Sequence, residues 1–173
     1  AWGPFDQDIA AYYLSINRNK RDLAINFRDP KGLEVVRKLA REVDVLVENF
    51  KPGRTDEMGL GYEELKKDNP KLIYASITGF GRDGPYGEWP GLDQIAQGMS
   101  GVMSVTGWPG GEPTRAGVPF GDVGAGMWAA MGVCAAVAQR HVTGEGQRVE
   151  TSLLGTDRKS TRLNSSHLVI SYA

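Results

Sequence analysis

The 173 residues include 20 Lys and Arg and 21 Asp and Glu, which gives a formal net charge of −1 at neutral pH. So balanced a charge provides no field that would recruit nucleic acid, and we predict no nucleic-acid partner. With 40% hydrophobic and 24% charged residues, the chain has an ordinary globular composition and enough length for one core. The two histidines lie far apart and the single cysteine has no partner, so we predict neither a metal site nor a disulfide framework.

No stretch of the chain resembles a signal peptide or a membrane span. Residues 123–138 come nearest, but they are too few and too rich in Gly and Ala to span a bilayer. Cys134 lies inside this apolar stretch, where we expect it to pack as a small buried hydrophobe. We therefore predict a cytoplasmic protein without a membrane partner.

The first half of the chain alternates between strand-like and helix-like patterns. Alternating apolar residues predict a strand over 23–27, and the Asp-Pro pair that follows begins a helix with apolar residues every three or four positions. Residues 44–50 and 72–80 are short apolar runs typical of buried strands, and residues 62–68 are predicted as a short exposed helix. This β-α-β-α-β order predicts an α/β fold with a parallel sheet and right-handed crossovers.

Gly and Pro dominate the next segment, so residues 79–91 are predicted to form a loop. Its GFGRDG sequence fits G-x-G-x-x-G, but the prolines that follow prevent a helix from starting there, so the match to a dinucleotide-binding motif is weak. A helix is predicted over 92–99, followed by a loop around a short extended piece. A last strand is predicted over 147–154.

Residues 117–140 run from a loop containing Gly and Pro into a long helix of small and apolar residues. A helix that is apolar on all sides is normally buried. Asp122 is the only charged side chain between Arg115 and Arg140, and it lies where this helix begins. Two interpretations of Asp122 are compatible with each other: a helix N-cap, or a functional carboxylate among glycines that leave room for a ligand.

The character of the sequence changes after about Gly155. Residues 156–173 are mostly polar and show no periodicity, which is the composition of a disordered end. They also resemble the translated read-through of a sequencing adapter or vector. We therefore predict one folded domain over 1–155 and a non-homologous tail, disordered or artefactual, over 156–173.

Five stretches, taken together and in order, resemble the family III CoA-transferases of the CaiB/BaiF type. They are SINRNKRDLAINFRDPKG, DVLVENFKPG with MGLGYEEL, NPKLIYASITGFGRDGPY, PGLDQIAQGMSGVMSVTG and GDVGAGMWAAMGVCAAVAQRHVTGEGQRV. The resemblance covers roughly residues 1–154. It implies the Rossmann-like parallel sheet of that family's large domain, truncated at both ends, because family members are well over twice as long. It also implies a homodimer of two interlocked chains in the full-length protein.

The family transfers coenzyme A from an acyl-CoA donor to a carboxylic acid acceptor. Its nucleophile is the Asp of a Gly-Asp pair before the small-residue helix, and the resemblance places it at Asp122. A carboxylate is ionised at neutral pH without a base, and it can attack a thioester to give a mixed anhydride and then an enzyme–CoA thioester. The resemblance thus implies acyl-CoA and a small carboxylic acid as partners, coenzyme A as the carried group, and no metal.

The resemblance also implies five positions that contact coenzyme A. They are Ile25, Arg28, Asn49, Phe50 and Met58. At the neighbouring position of Glu57, several family members have Arg or Lys beside the CoA phosphates. An acid there would repel phosphate, so no contact is inferred for Glu57.

Two other functions remain open. α-Methylacyl-CoA racemases share the fold and use a His together with the Asp that matches Asp122 as their two bases. Leu92 occupies the position of that His and cannot take a proton, which favours the transferase. A non-catalytic module that binds CoA or a nucleotide would keep the fold without needing the Asp122 carboxylate.

As it stands, the chain is predicted to be inactive on its own.

Overall fold

The structure, a computed structural model, describes residues 3–157. It begins with an antiparallel hairpin of β1 (Phe5–Asp6) and β2 (Ile9–Ala10), followed by the short helix α1 (Ala11–Ile16). The sequence did not predict these elements, because the aromatic residues of this segment show no clean periodicity. Residues 17–29 then run through turns and irregular backbone to the first long helix.

The next five elements build the first half of the α/β unit. They are α2 (Pro30–Glu42), β3 (Val45–Glu48), α3 (Arg54–Glu57), α4 (Tyr62–Asp68) and β4 (Ile73–Thr78). The helix predicted to begin at Pro30 is confirmed, as are both strands and the helix over 62–68. The side chain of Asp29 caps α2 by accepting a hydrogen bond from the Lys31 amide at 2.9 Å, and Pro30 fits the first turn, where no amide hydrogen is needed.

The second half holds two helices, a strand and two short turns of helix. They are α5 (Asp93–Ser100), a 3-10 helix (Val102–Val105), α6 (Phe120–Thr143), β5 (Arg148–Ser152) and a helical turn over 153–157. The predicted helix over 92–99 and the last strand are confirmed. The prediction of a short extended piece after that helix is wrong. Gly101 explains the difference, because its φ of 86° ends α5 and directs the chain into the 3-10 helix. The first hydrogen bond of the 3-10 helix is donated by the Ser104 amide to the Gly101 carbonyl.

Strands β3, β4 and β5 form a parallel three-stranded sheet in that order, which confirms the predicted α/β class. Val47 pairs with Ala75, and Ala75 pairs in turn with Val149. In the central strand Ile73, Tyr74 and Ala75 are fully buried. A parallel strand covered on both faces needs apolar residues at successive positions, which explains the continuous apolar run in the sequence.

Helices pack on both faces of this sheet. On one face α2 and α4 contribute to a core cluster with Leu72 and Tyr74, and on the other α5 and α6 meet Ile77. Tyr74 and Ile77 are three residues apart, so the alternation of a strand directs them to opposite faces. Helix α4 is less exposed than predicted, because Tyr62 and Leu65 are buried in the first cluster.

No strand forms over 23–27, so that prediction is wrong. A strand requires a hydrogen-bonded neighbour. Within residues 3–157 the paired strands are β1 with β2 in the hairpin, and β3, β4 and β5 in the parallel sheet. Leu23 and Phe27 are exposed rather than packed in a sheet. Alternating apolar residues therefore mark an extended segment here, but not a paired one.

The prediction of an entirely buried central helix is also wrong. In the described part of the chain, α6 packs against α5, β4 and β5 with one face only. Ala125, Ala129 and Ala136 lie on the buried face, whereas Cys134 is exposed, contrary to expectation. A helix buries only the face that a neighbour covers, and the sequence cannot say how many neighbours are present.

Helix α6 is also longer than the apolar stretch from which it was predicted. The helix has 24 residues, Phe120–Thr143, and by length and composition alone it could cross a membrane. This differs from the prediction that no stretch of the chain is long enough to do so. The helix extends past 123–138 at both ends, and this explains the difference. Core helices of globular proteins meet the same criterion, so the absence of a membrane partner stays a prediction.

The predicted domain boundary at Gly155 falls inside the helical turn over 153–157. Thr156 and Asp157 are buried, and Thr156 lies against Gly124 of α6. The remainder of the predicted tail, residues 158–173, lies outside the described residues. Its interpretation as a disordered or artefactual segment stays a prediction.

Candidate active site

A cavity of about 400 Å³ lies at the carboxyl ends of the three parallel strands. Its walls come from the segments that leave β3, β4 and β5, together with the first turn of α6. The lining residues are Tyr12, Asn49, Phe50, Lys51, Pro52, Ile77, Thr78, Gly79, Trp89, Pro90, Gly91, Asp122 and Leu153. In open parallel sheets, ligands bind outside the carboxyl ends of the strands, so the position of this cavity marks it as the candidate site.

The exit of β3 is held by the buried carboxylate of Glu48. One carboxylate oxygen accepts a hydrogen bond from the Phe50 amide at 2.8 Å, and the other accepts one from the Ser76 hydroxyl on β4. The Phe50 ring also meets the Phe27 ring edge-on, with 5.9 Å between centroids. These contacts give the Asn49-Phe50 backbone a defined course along the cavity wall.

Two glycines make a second part of the wall. A Cβ on Gly79 would lie 2.3 Å from the Gly91 Cα, which no real side chain tolerates. The Gly79 carbonyl accepts a hydrogen bond from the Leu154 amide at 3.0 Å, which ties the exits of β4 and β5 together. Glycine is thus required where the loop over 79–91 folds back on the end of β4.

Asp122 is the third residue of α6, and the helix is preceded by Pro119 at the N-cap position. Asp122 is therefore not the capping residue that one interpretation made it. The acceptor at this helix end comes from α5, since the carboxylate of Asp93 accepts hydrogen bonds from the amides of Gly121 at 2.8 Å and Asp122 at 3.3 Å. The Asp122 side chain is left to line the cavity.

The carboxylates at this helix end influence one another. Burial, and then the negative charge of Asp93, raise the pKa of Asp122 above its ordinary value. Burial, and then the charges of Asp93 and Asp122, raise the pKa of Asp157 to about 6. Asp122 as a whole residue is exposed, so burial affects its carboxylate only in part and leaves it accessible from the cavity.

Three of the predicted site residues meet in this cavity. Asn49 and Phe50 follow β3, and Asp122 lies in the first turn of α6, more than 70 positions away in the sequence; all three line the same space. Parallel strands bring their exits to one edge of a sheet, so the topology explains why these residues converge.

The other three predicted contacts lie outside the cavity lining. Met58 packs against the core cluster of α2 and α4, and Ile25 is half-buried with its side chain beside Gly32. Arg28 is exposed, and its amide donates to the side chain of Asn26 at 3.0 Å. Their role in binding coenzyme A stays a prediction.

Sequence reasoning missed three side chains that shape the site, namely Glu48, Asp93 and Gln97. Asp93 stands in the first turn of its own helix, where an acid is an ordinary favourable residue, so its sequence position gave no hint of its contact with α6. Leu92, the position that separates transferase from racemase, is 67% exposed and is not among the cavity-lining residues. Within residues 3–157, no group of His, Cys, Asp or Glu side chains is arranged to hold a metal ion.

Fold and site together define an α/β protein with a candidate carboxylate nucleophile at the carboxyl edge of a parallel sheet. The family model of CoA-transferase family III matches residues 1–162. The chain therefore belongs to CoA-transferase family III.

Relatives and solved structures agree with this assignment. The chain is 45% identical over 157 residues to a succinyl-CoA:glutarate CoA-transferase of Mus musculus, covering 90% of this chain and 36% of the relative. It is 45% identical over 161 residues to a succinate–glutarate CoA-transferase of Agrobacterium fabrum, covering 89% of this chain and 40% of the relative. The crystal structure of a CaiB/BaiF family protein from Brucella suis matches with a TM-score of 0.88 and 41% identity, over 99% of this chain and 46% of that one. The chain thus spans between about a third and a half of the proteins it matches.

Proposed function

We propose that this chain carries the part of a CoA-transferase active site that contains the nucleophile, and that Asp122 is the nucleophile. The observation that carries the proposal is that Asp122 shares one cavity with Asn49 and Phe50 at the carboxyl edge of the sheet. The relatives are named as CoA-transferases that act on succinate and glutarate, and these names support CoA transfer as the reaction class.

In the proposed reaction, an oxygen of the Asp122 carboxylate attacks the carbonyl carbon of the acyl-CoA donor. The carbon–sulfur bond breaks, the CoA thiolate leaves, and a mixed anhydride forms. The thiolate then attacks the Asp122 carbonyl, which releases the donor acid as a carboxylate and leaves an aspartyl–CoA thioester. The acceptor carboxylate repeats the two steps in reverse, so acceptor acyl-CoA forms and the Asp122 carboxylate returns without net proton transfer.

We further propose that Asn49 and Phe50 contact coenzyme A where it enters the cavity. Ile25, Arg28 and Met58 would contact more distant parts of the same molecule. Short dicarboxylic acids are the proposed acceptors, because succinate, glutarate and oxalate stand in the names of relatives. The full-length protein is proposed to act as an interlocked homodimer.

The test uses a chimera in which residues 3–157 replace the matching segment of the Agrobacterium fabrum relative, which is 45% identical. Glutaryl-CoA formed from succinyl-CoA and glutarate is followed by mass spectrometry. Asp122→Asn keeps the size of the side chain but removes the anionic nucleophile, so we expect transfer to fall by about 10³-fold or more. Binding of coenzyme A, measured by calorimetry, should survive.

The matched control is Asp83→Asn, the same chemical change at an exposed residue outside the cavity lining, which should leave transfer unchanged. Transfer by Asp122→Asn at the control's rate would show that Asp122 is not the nucleophile. An unsubstituted chimera that binds coenzyme A but never transfers it would favour the non-catalytic binding module.

A further inference from the structure

Asp93 makes an unusual connection between two helices. Its carboxylate oxygen Oδ1 lies 2.8 Å from the Gly121 amide and 3.3 Å from the Asp122 amide, 28 and 29 positions further along the chain. The first amides of a helix lack partners within the helix, and a side chain normally supplies the acceptor from the adjoining residue. Here the acceptor for α6 is delivered by the first residue of α5.

Gln97 lies one turn after Asp93 on α5 and is fully buried. Its Nε2 donates to the second oxygen of Asp93 at 2.7 Å, and its Oε1 accepts from the Ala116 amide at 3.0 Å. Nε2 also approaches the Val118 carbonyl at 3.4 Å. The Asp93–Gln97 pair therefore holds both the start of α6 and the loop that leads into it.

Gly121 makes this approach possible. A Cβ at that position would lie 3.1 Å from Oδ1 of Asp93 and 3.2 Å from Oδ2 of Asp157. Such contacts are tighter than nine in ten real Cβ contacts, so with a larger residue the Asp93 carboxylate would have to shift by a few tenths of an ångström. The glycine before Asp122 thus serves the contact with Asp93.

We propose that Asp93 is a positioning residue for the nucleophile. Asp93 fixes the backbone of Asp122 through the first turn of α6, and Gln97 orients Asp93. This inference rests on the proposed function of Asp122. Asp93 touches no reacting atom in this arrangement. It acts by keeping the Asp122 carboxylate directed into the cavity, where a misplacement of about 1 Å can lower a rate by about 10²-fold.

Asp93 also acts on Asp122 by its charge. Asp157, in the turn after β5, also interacts with Asp122 by charge, and Lys51 and Tyr12 are the other titratable groups that line the same cavity. Burial is the larger cause of the raised pKa of Asp122 and the charge of Asp93 is the second, so neutralising Asp93 should lower that pKa in part. The ionised nucleophile would then persist to lower pH.

The experiment compares Asp93→Asn and Asp93→Ala in the chimera. Asn can accept from the amides of α6 with its one oxygen, but its amino group cannot accept the Gln97 hydrogen bond. Ala provides neither acceptor. Four quantities are measured: kcat at pH 7.5, KM at pH 7.5, the acid limb of the kcat profile, and hydrogen exchange of the peptide that contains Gly121 and Asp122. Asp83→Asn is again the matched control.

We expect kcat to fall by about 10- to 100-fold in Asp93→Ala and by less in Asp93→Asn, with KM for the acyl-CoA donor within about threefold of the parent. The acid limb should move to lower pH in Asp93→Asn, and exchange should accelerate mainly in Asp93→Ala. If Asp93→Ala does not fold, the pH profile of Asp93→Asn decides.

An unchanged acid limb together with an unchanged kcat per folded molecule would overturn the proposal and leave Asp93 a purely structural cap. That result is distinguishable from failure of the proposed function. In that second case Asp122→Asn would transfer coenzyme A normally, whatever the Asp93 variants do.

Discussion

Gly79 and Gly91 are in direct backbone contact, and each would place a Cβ within 2.3 Å of the other's Cα. Gly91→Ala should therefore push the loop away from β4, lower the free energy of unfolding by about 1–3 kcal/mol and open the cavity. Thermal unfolding and transfer are measured in the chimera. Gly117→Ala is the matched control, because a Cβ at Gly117 meets no atom within 4 Å. Equal effects of the two substitutions would contradict the role of the glycine contact.

The buried Glu48 carboxylate is expected to support the binding of coenzyme A through the backbone of Phe50. Glu48→Ala leaves the Phe50 amide and the Ser76 hydroxyl without their acceptor, which should cost about 1–3 kcal/mol of stability. KM for the acyl-CoA donor should rise more than kcat falls, because the affected residues bind rather than react. Glu48→Gln keeps one acceptor oxygen and should lie between parent and Ala. A change in kcat alone would speak against this assignment.

Asp157 should make stability depend on pH. Its pKa is raised from 3.8 to about 6 in the folded chain, so folding favours the neutral acid. Its contribution is fully present below about pH 4, the pKa of an unfolded Asp, and is lost as the pH rises through the folded value. Asp157→Asn in the chimera should therefore gain stability relative to the unsubstituted chimera between pH 4 and 7, as measured by urea unfolding. Parallel stability curves for the two proteins would show that the pKa is not raised.

Proton exchange at an α-carbon should be absent. Leu92 stands where the racemases have a base, and leucine cannot accept a proton. A 2-methylacyl-CoA incubated with the chimera in deuterated water should show no deuterium at the α-carbon by mass spectrometry. Clear α-deuteration above the level of Asp122→Asn would contradict the transferase and favour the racemase.

The chain of 173 residues alone should show no measurable transfer. The outer face of α6 exposes large apolar side chains, with Met127 63% and Met131 59% exposed, and such a face favours association. We expect a loosely packed or poorly soluble state in thermal unfolding with and without coenzyme A. A sharp cooperative transition that coenzyme A raises, together with turnover, would show a complete functional domain.

Local patterns sufficed for the elements whose identity depends on near neighbours. Helix α2 follows from its Asp-Pro start and its apolar spacing, and β4 from an unbroken apolar run. The strand expected over 23–27 failed because pairing needs a second strand, which no local pattern contains. The burial of α6 failed for the same kind of reason, since its length and apolar character are local but its coverage is not.

The candidate site divides in the same way. The sequence by itself determined that Asp122 is an isolated acid at the start of a small-residue helix, and the ordered motifs marked Asn49 and Phe50. Only the tertiary structure decided that these three residues share one cavity, and that Asp93 rather than Asp122 caps α6. The physical reason is distance along the chain: hydrogen bonds and charges act over a few ångströms, and 28 residues separate Asp93 from Gly121 until the fold brings α5 and α6 together.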